Sequence, residues 1–199
     1  MKVLLVCKSK LMENLGIMYL AAVVKKAGHE AKIVSLDEAV HAARGWMPDI
    51  VGYSIMTGDE ARFEKVDGMI KNLWPGGKIR PVSIVGGPDP TFFPQGYEWA
   101  DHAVKGEAEG WLNDYLGNGV LYDKIDSIPW PDRTDFPGMK IRDFISSRGC
   151  PYDCSYCYNG AWAKMFPEVK RVRTRLAENV IAEINSVDPD FVYFQDSCF

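Results

Sequence analysis

The sequence has little of what marks a membrane protein, a secreted protein or a nucleic-acid-binding protein. No run approaches the roughly 18 apolar residues of a membrane-spanning helix. The amino terminus lacks a small-residue cleavage site, so we expect a first strand there and no signal peptide. The 23 basic and 27 acidic residues give a formal charge of −4, which excludes the electrostatic footprint of a protein that binds nucleic acid or an anionic membrane. We therefore expect a cytoplasmic protein.

Cysteines are few, and their distribution excludes a disulfide framework. There are five, an odd number, and Cys150, Cys154 and Cys157 lie within eight residues of one another. Three thiolates on so short a loop can converge on one cubic iron–sulfur cluster. No fourth cysteine or histidine lies beside them to complete a tetrahedral zinc site. A zinc site that borrows one distant ligand remains an alternative, with three candidates for that ligand: Cys7, His102 and Cys198.

What is present is typical of a globular α/β protein. The 199 residues correspond to between one and two domains, and 47% of them are hydrophobic. Strand patterns are predicted at 3–7, 31–36, 49–56, 82–85 and 102–105, with helical patterns between them. The first of these helices can end at Gly28 in a left-handed cap. This alternation predicts a parallel sheet with helices on both faces.

A proline-rich segment interrupts the alternation. Residues 125–139 hold three prolines and no periodicity, which predicts an extended linker or strap. Beyond it, strands are predicted at 140–147 and 191–195, and a helix at 176–184 with Val180, Ile181 and Ile184 inward. We therefore expect a first domain at 1–124, a linker at 125–139 and a second unit at 140–199. That unit has room for two βα units, too few to bury both faces of a parallel sheet, so we expect a fragment or a chain that a partner completes.

The cysteine cluster also carries a family resemblance. Residues 147–157, SRGCPYDCSYC, resemble the C-x3-C-x2-C loop of the radical S-adenosylmethionine enzymes. In that family the three cysteines hold a [4Fe–4S] cluster, and S-adenosylmethionine chelates the fourth iron. The resemblance implies that Cys150, Cys154 and Cys157 are cluster ligands and that Tyr156 contacts the cofactor.

Further segments are similar to the amino-terminal domain of the cobalamin-dependent subfamily of these enzymes. They are spread along nearly the whole chain: 15–22, 28–30, 86–91, 106–109, 128–132, 171–173 and 178–180. In a doubly wound sheet, ligands bind beyond the carboxyl ends of the strands where the strand order reverses. The corresponding loops hold the residues expected to contact cobalamin: Ser54, Thr57, Gly86, Gly87, Pro88, Gly106 and Glu107. Alternatively, Gly86 and Gly87 form only a tight connection between a strand and a helix.

The chain departs from the family pattern at three places. Asp89 stands where a histidine is usual, and Asp196-Ser197 stand where two aspartates are usual. Because that strand end contacts the amino group of S-adenosylmethionine in relatives, the resemblance assigns Asp196 to this contact. The sequence contains no D-x-H-x-x-G motif, whose histidine replaces the lower axial base of cobalamin in many mutases. We therefore expect cobalamin to bind without histidine ligation.

The resemblance implies a fold and a reaction. The fold is α/β, with a flavodoxin-like cobalamin-binding domain followed by the start of a partial radical barrel. The reaction is reductive cleavage of S-adenosylmethionine, with an electron donor such as flavodoxin or ferredoxin, to a 5′-deoxyadenosyl radical that abstracts hydrogen. Cobalamin then supplies a methyl group to an unactivated carbon, or assists a rearrangement or ring closure. Two alternatives stay open: a cobalamin carrier or sensor, and a radical enzyme that no longer uses cobalamin.

Overall fold

The computed structural model describes residues 1–74 and 80–198, and the backbone divides into two units. The first unit comprises residues 1–122 and 128–137, and the second comprises residues 123–127 and the chain from residue 138 onward. Segment 128–137, which we call the strap, is therefore part of the first unit. Along the described ranges, no helix is long and apolar enough to cross a membrane.

Strands and helices alternate in the first unit. Its elements are β1 (Lys2–Cys7), α1 (Leu15–Lys26), β2 (Glu30–Ser35), α2 (Ala39–Trp46), β3 (Ile50–Ser54), α3 (Glu60–Lys71), β4 (Val82–Gly86), α4 (Pro88–Phe92), β5 (His102–Ala103) and α5 (Glu109–Tyr115). In the described residues the five strands form one parallel sheet in the order β2-β1-β3-β4-β5. This confirms the predicted doubly wound α/β fold. The order is flavodoxin-like, so the strand order reverses between β1 and β3.

The core of the first unit lies on both faces of this sheet. Residues 3–7 of β1 are buried, as an apolar central strand requires. Helix α1 buries its apolar side, including Ile17 and Val24, and Gly28 follows it with φ +80° and an N–H···O bond of 3.0 Å to Lys25. The predicted left-handed cap is thus confirmed. Phe63 and Ile70 of α3 belong to a buried cluster with side chains of β1 and β3, and Val40 and Ala42 of the unpredicted helix α2 pack against it.

The strap is attached to the first unit by polar groups and one buried ring. Its Asp132 backbone N–H donates to the Met18 carbonyl at 3.0 Å. The Asp135 carboxylate accepts from the Ile33 backbone N–H of β2 at 2.7 Å, which satisfies one donor of an edge strand. Phe136 is buried. The proline-rich segment is therefore packed and hydrogen-bonded over residues 128–137.

The second unit has less regular structure. Its elements are a 3-10 turn (Ile125–Ser127), β6 (Ile141–Phe144), β7 (Ser147–Gly149), α6 (Tyr158–Met165), β8 (Val172–Thr174), α7 (Ala177–Val187) and β9 (Phe191–Phe194). In the described residues β6 pairs with β9 in parallel, and β7 pairs with β8 antiparallel. This arrangement does not confirm the predicted partial barrel, which stays a prediction.

Two local predictions for the second unit are wrong. The predicted strand at 140–147 is interrupted between β6 and β7. Two carbonyl oxygens there bond to Arg175: its Nη1 donates to Ile145 at 2.9 Å, and its backbone N–H donates to Ser146 at 2.8 Å. Helix α7 turns Ile181 outward, with 56% of its surface exposed. Glu183 is buried in its place and accepts from Arg175 Nη1 at 2.6 Å. The buried face of α7 therefore carries a charged side chain, paired with Arg175, that the apolar pattern does not predict.

Candidate cofactor-binding sites

The strand order of the first unit places its candidate site at the carboxyl edge of the sheet, between β1 and β3. Lys8 follows β1 and Asp59 precedes α3, and their side chains form an ion pair with Lys8 Nζ 3.0 Å from Asp59 Oδ2. The Asp59 carboxylate is nearly buried, whereas Lys8 is exposed. The ion pair holds the two loops at a fixed separation where the strand order reverses.

The segment 9–14 after β1, which we call the first loop, turns apolar side chains outward. The Ser9 carbonyl accepts from Cys7 Sγ at 3.3 Å, and Ser9 Oγ accepts from the Leu11 backbone N–H at 3.2 Å. Leu11 is 90% exposed and Met12 is 67% exposed. The loop ends at Asn14, whose side chain caps α1. Apolar side chains held this openly offer a surface that a flat apolar ligand can cover.

The loop after β3 carries two predicted contact residues. Ser54 is the last residue of β3 and is half-buried, and Thr57 is exposed in the turn that follows. Between them, the Ile55 backbone N–H donates to the Gly86 carbonyl at 2.9 Å. Met56 is exposed beside Thr57. The structure thus brings the loops after β3 and β4 together.

The double glycine after β4 has a structural reason within the protein. Gly87 has φ +104°, and a Cβ placed on it would lie 2.8 Å from the Ile55 carbonyl oxygen. Only glycine fits both the backbone conformation and this close approach. Pro88 follows as the exposed first residue of α4. The close contact with Ile55, the residue after β3, is therefore enough to explain why position 87 must be glycine, whether or not a ligand binds there.

Thr91 joins the turn after β4 to the loop after β5, a role that sequence reasoning missed. Its hydroxyl donates to the Gly87 carbonyl at 2.8 Å and accepts from the Gly106 backbone N–H at 3.0 Å. Gly106 has φ +80°, and Glu107 beside it is exposed. The sequence signal for this role is a threonine four residues after the glycine that precedes a helix. These bonds bring the predicted contact residues Gly86, Gly87 and Gly106 to one edge.

Asp89, which stands where the family has histidine, is used inside the protein. It is buried and accepts a hydrogen bond from the Tyr97 hydroxyl. Burial and the nearby Asp89 carboxylate raise the pKa of Tyr97 above its ordinary value. The Asp89 backbone N–H donates to the Ile55 carbonyl at 3.2 Å. Asp89 therefore stabilises the edge of the sheet through hydrogen bonds within the protein, and its carboxylate is not presented to a ligand.

The residues at this edge fit a corrinoid that is bound without a histidine ligand from the protein. The exposed apolar side chains in the loops after β1 and β3 are Leu11, Met12 and Met56. No histidine occurs in the four loops at 9–14, 54–58, 86–90 and 106–109. A corrin ring is broad and flat, and its ring system is apolar. The edge combines an apolar surface with hydrogen-bonded backbone turns, which is the composition that such a ring requires.

The cysteine loop of the second unit follows β7 and is held at its start by an arginine. Gly149 has φ +93°, and a Cβ placed on it would lie 1.9 Å from the Arg171 carbonyl oxygen. The Arg171 side chain donates to the carbonyl oxygens of Cys150 at 3.0 Å and Tyr152 at 2.5 Å. Sequence reasoning noted Arg171 only as part of a similar segment. The structure shows that it fixes the backbone of the first cysteine.

The end of the loop is fixed by helix α6. The Cys157 backbone N–H donates to the Cys154 carbonyl at 3.1 Å, and Cys157 is the N-cap of α6. Asn159 Nδ2 lies 3.5 Å from Cys157 Sγ, within hydrogen-bonding distance for sulfur. Hydrogen bonds to sulfur and the amino end of a helix both favour negative charge. Cys157 therefore lies in surroundings that suit a metal-bound thiolate.

The three cysteines are reachable from solvent but do not form a site for a single ion. Cys154 is exposed, Cys150 and Cys157 are half-buried, and the Tyr156 ring is exposed. Among residues 1–74 and 80–198, no three His, Cys, Asp or Glu side chains are grouped to hold a metal ion. Three thiol donors suit an iron–sulfur cluster, whose irons take separate thiolates.

Cys198 and Asp196 follow β9, near the end of the chain. Loss of solvent contact, followed by the charge and hydrogen bond of Cys150, raises the pKa of Cys198. Asp196 Oδ1 accepts from the hydroxyl groups of Ser146 and Ser147 at 2.8 and 2.5 Å. Its Oδ2 accepts from the Ser146 backbone N–H at 3.1 Å. The Asp196 carboxylate therefore joins the chain just after β9 to Ser146 and to Ser147, the first residue of β7.

The chain belongs to the B12-binding domain family. The family model matches residues 1–116, which is more than half of the chain and includes all four loops at the edge of the sheet. Cobalamin binding by the first unit is supported by this match.

The comparisons with individual proteins extend the resemblance. The chain is 24% identical to an uncharacterized methyltransferase, PH0819, of Pyrococcus horikoshii, over 93% of this chain and 49% of that protein. Its fold matches that of the cobalamin-dependent S-adenosylmethionine radical enzyme OxsB, with a TM-score of 0.73 to the form with aqua-cobalamin bound and 0.70 to the form with aqua-cobalamin and S-adenosylmethionine bound. Identity to both forms is 16%, over 98% of this chain and 34% of OxsB. The predicted resemblance to cobalamin-dependent radical enzymes is thus confirmed, at the level of the fold. The chain spans about half the length of the curated relative and about a third of OxsB.

Proposed function

We propose that this chain carries the cobalamin site and the cluster loop of a cobalamin-dependent radical S-adenosylmethionine enzyme that transfers a methyl group to an unactivated carbon. The observation that supports it best is the presence of both features on one chain. The carboxyl edge of the first unit has exposed apolar side chains and no histidine, and the second unit has three cysteines on a loop fixed by Arg171 and α6. The similarity to an uncharacterized methyltransferase favours methyl transfer.

The residues of this chain hold and orient the cofactors. Cys150, Cys154 and Cys157 would hold a [4Fe–4S] cluster, and the exposed Tyr156 ring would contact bound S-adenosylmethionine. When bound, the cluster supplies the electron that cleaves S-adenosylmethionine to a 5′-deoxyadenosyl radical, and cobalamin supplies the methyl group. The loops of the first unit would exclude water from one face of the corrin.

Asp196 is the proposed contact for the amino group of S-adenosylmethionine. An ionised carboxylate has about four lone-pair positions, so the three hydrogen bonds that it accepts leave capacity for another donor. The serine hydroxyl groups also fix the orientation of the carboxylate. Asp196 would thus be held in place for an ammonium group by Ser146 and Ser147.

The cobalamin contacts remain as predicted from the sequence: Ser54, Thr57, Gly86, Gly87, Pro88, Gly106 and Glu107. Polar groups on these loops suit the amide side chains around the edge of a corrin. The strongest support is their common location, since the bonds through Thr91 and Ile55 bring the loops to one edge.

The proposal is tested by loading the 199-residue chain anaerobically with iron, sulfide and hydroxocobalamin and recording its absorbance spectrum. We expect a corrinoid spectrum together with a broad band near roughly 400 nm, as clusters with thiolate ligands give. The Cys150→Ala, Cys154→Ala, Cys157→Ala triple variant should lose the broad band and keep the corrinoid. The matched control is Cys198→Ala, which removes a cysteine outside the motif and should keep both.

Each other outcome favours a different function. Cobalamin without a cluster in the native chain would indicate a carrier or sensor. A cluster without cobalamin would indicate a radical enzyme that no longer uses cobalamin. Iron content that the triple variant leaves unchanged would contradict the assignment of the three cysteines.

A further inference from the structure

The strap contacts the first loop through two side-chain pairs. Arg133 Nη1 of the strap forms an ion pair with Glu13 Oε2 of the loop. Lys10 Nζ of the loop lies 5.6 Å from the centroid of the Phe136 ring, in a cation–π contact. A segment more than 110 residues distant in sequence therefore holds the loop after β1.

The Glu13–Arg133 pair is buried. The exposed fraction of the side chain is 1% for Glu13 and 8% for Arg133. A buried charge is stable only when it is paired, so this pair contributes to holding the Glu13 carboxylate inside the protein. The Glu13 carboxylate is turned into the protein, and Leu11 and Met12 of the same loop are exposed.

The strap is anchored to the sheet independently of the first loop. Asp135 accepts from the Ile33 backbone N–H of β2 at 2.7 Å. Asp132 forms an ion pair with Lys25 of α1 and accepts from the Thr134 backbone N–H at 3.0 Å. The strap is therefore held to β2 and to α1 by separate contacts, so the loss of one of them leaves the other in place.

We propose that Arg133 and Phe136 are positioning residues of the cobalamin site, which act through Glu13 and Lys10 to hold the first loop with Leu11 and Met12 toward the ligand. The inference rests on the proposed function. It assigns to the proline-rich segment a part in cofactor binding that its composition does not suggest. It also explains why the loop carries a glutamate that does not face the site.

The test measures the affinity of the full chain for hydroxocobalamin by absorbance titration. Arg133→Met should weaken binding by at least about tenfold, and Arg133→Lys should recover part of the loss because it restores the charge. The matched control is Asp135→Asn, which weakens a strap contact with β2 but leaves the pair with Glu13. It should bind within about twofold of the native chain, even if its thermal midpoint falls.

If Arg133→Met does not fold, a second variant tests the same inference. The double variant Glu13→Leu, Arg133→Met removes both charges, and replacing a buried pair by apolar residues is often neutral for stability. We expect it to fold, as circular dichroism and thermal melting would show, and still to bind cobalamin at least about tenfold more weakly. Native-like affinity in this variant would overturn the inference. So would an equal loss of affinity in Asp135→Asn, because the strap would then act through stability alone.

Failure of the proposed function has a different result. If the native chain itself does not bind hydroxocobalamin, both proposals are overturned. If the native chain binds and the variants of the pair bind equally well, only the positioning role is overturned.

Discussion

The two units of the molecule differ in how their strands are covered. In the first unit, β1 is buried between helices on both faces of a five-stranded sheet within the described residues. In the second unit, β9 exposes side chains on both of its faces, with Phe191 65% and Tyr193 57% exposed on one face and Val192 42% exposed on the other. The first unit therefore positions its loops from a closed apolar core. The second must position its cysteine loop by local contacts.

The second unit is itself held together in part by a buried polar network around Arg175. Arg175 donates to Glu183 Oε2 at 2.6 Å, to Asn179 Oδ1 at 3.0 Å and to the Ile145 carbonyl at 2.9 Å. All of these groups are in the second unit, and Arg175 is itself buried. A buried network of this kind fixes one geometry when it is complete and is costly when it is broken. The difference between the units predicts where each one is most sensitive to substitution.

The largest effect is expected at Glu183. Glu183→Leu leaves the Arg175 charge buried without its carboxylate, which should cost about 3–5 kcal/mol of the free energy of unfolding. Because this network belongs to the second unit, backbone amides there should lose protection in hydrogen–deuterium exchange, while β1 and β3 keep theirs. The double variant Arg175→Met, Glu183→Leu is the control and should recover protection. Loss of protection in the first unit as well would break the comparison.

Gly149→Ala should act directly on the cysteine loop. A Cβ at this position would lie 1.9 Å from the Arg171 carbonyl oxygen, at a φ that favours glycine, so the pairing of β7 with β8 must shift. We expect a cost of at least about 3 kcal/mol and loss of reconstituted iron. Gly138→Ala is the matched control, because Gly138 has φ +72° but nothing within 4 Å of its Cβ position. Iron content equal to that of the control would contradict this account.

In the first unit the corresponding position is Gly87. A Cβ there would lie 2.8 Å from the Ile55 carbonyl oxygen, so a smaller shift than at Gly149 relieves the contact. Gly87→Ala should destabilise the first unit by about 2–3 kcal/mol in urea unfolding and weaken cobalamin binding. Gly58→Ala, at φ +91° with nothing within 4 Å, should cost about 1 kcal/mol. Equal costs would show that backbone conformation, and not the close approach, requires the glycine.

The smallest effect is a loss of stability in acid. Hydrogen bonds from Arg80, at 2.8 Å each, hold the pKa of Asp101 at about 2, below its ordinary value. Since the folded pKa is lowered, Asp101 stabilises the first unit above a pH of about 4 and loses this effect as the pH falls through about 2. Because Asp101 is partly exposed, we expect about 1 kcal/mol. Asp101→Asn should be less stable than the native chain at pH 7 and equal to it near pH 2, and a constant difference would contradict the assignment.

The sequence predicts the first unit well because burial determines it. The apolar run of β1, the amphipathic pattern of α1 and the glycine that caps it are all confirmed. The second unit is predicted less well because polar contacts determine it. Hydrophobic periodicity cannot show that Glu183 is buried with Arg175, and for this reason the prediction that Ile181 faces inward is wrong. The pairing of β7 with β8 joins short segments without alternation, and α6 contains Gly160, so neither was predicted.

The candidate sites show the same contrast. The spacing of the three cysteines predicts that they share a loop, since no long-range contact is needed for that. The residues that hold the loop and the sheet edge, Arg171 and Thr91, could not be identified individually, because their partners are backbone groups distant in sequence. The sequence identifies Asp89 only as a departure from the family pattern, and the structure shows its bond with Tyr97.

We propose that this chain carries two cofactor sites, one for cobalamin in the first unit and one for an iron–sulfur cluster in the second. The most direct test is elemental analysis of the anaerobically loaded chain, compared with the variant that lacks Cys150, Cys154 and Cys157. The account predicts about four irons and about one cobalt per native chain, and cobalt without iron in the variant. A native chain that retains no cobalt, or a variant that retains its iron, would contradict it.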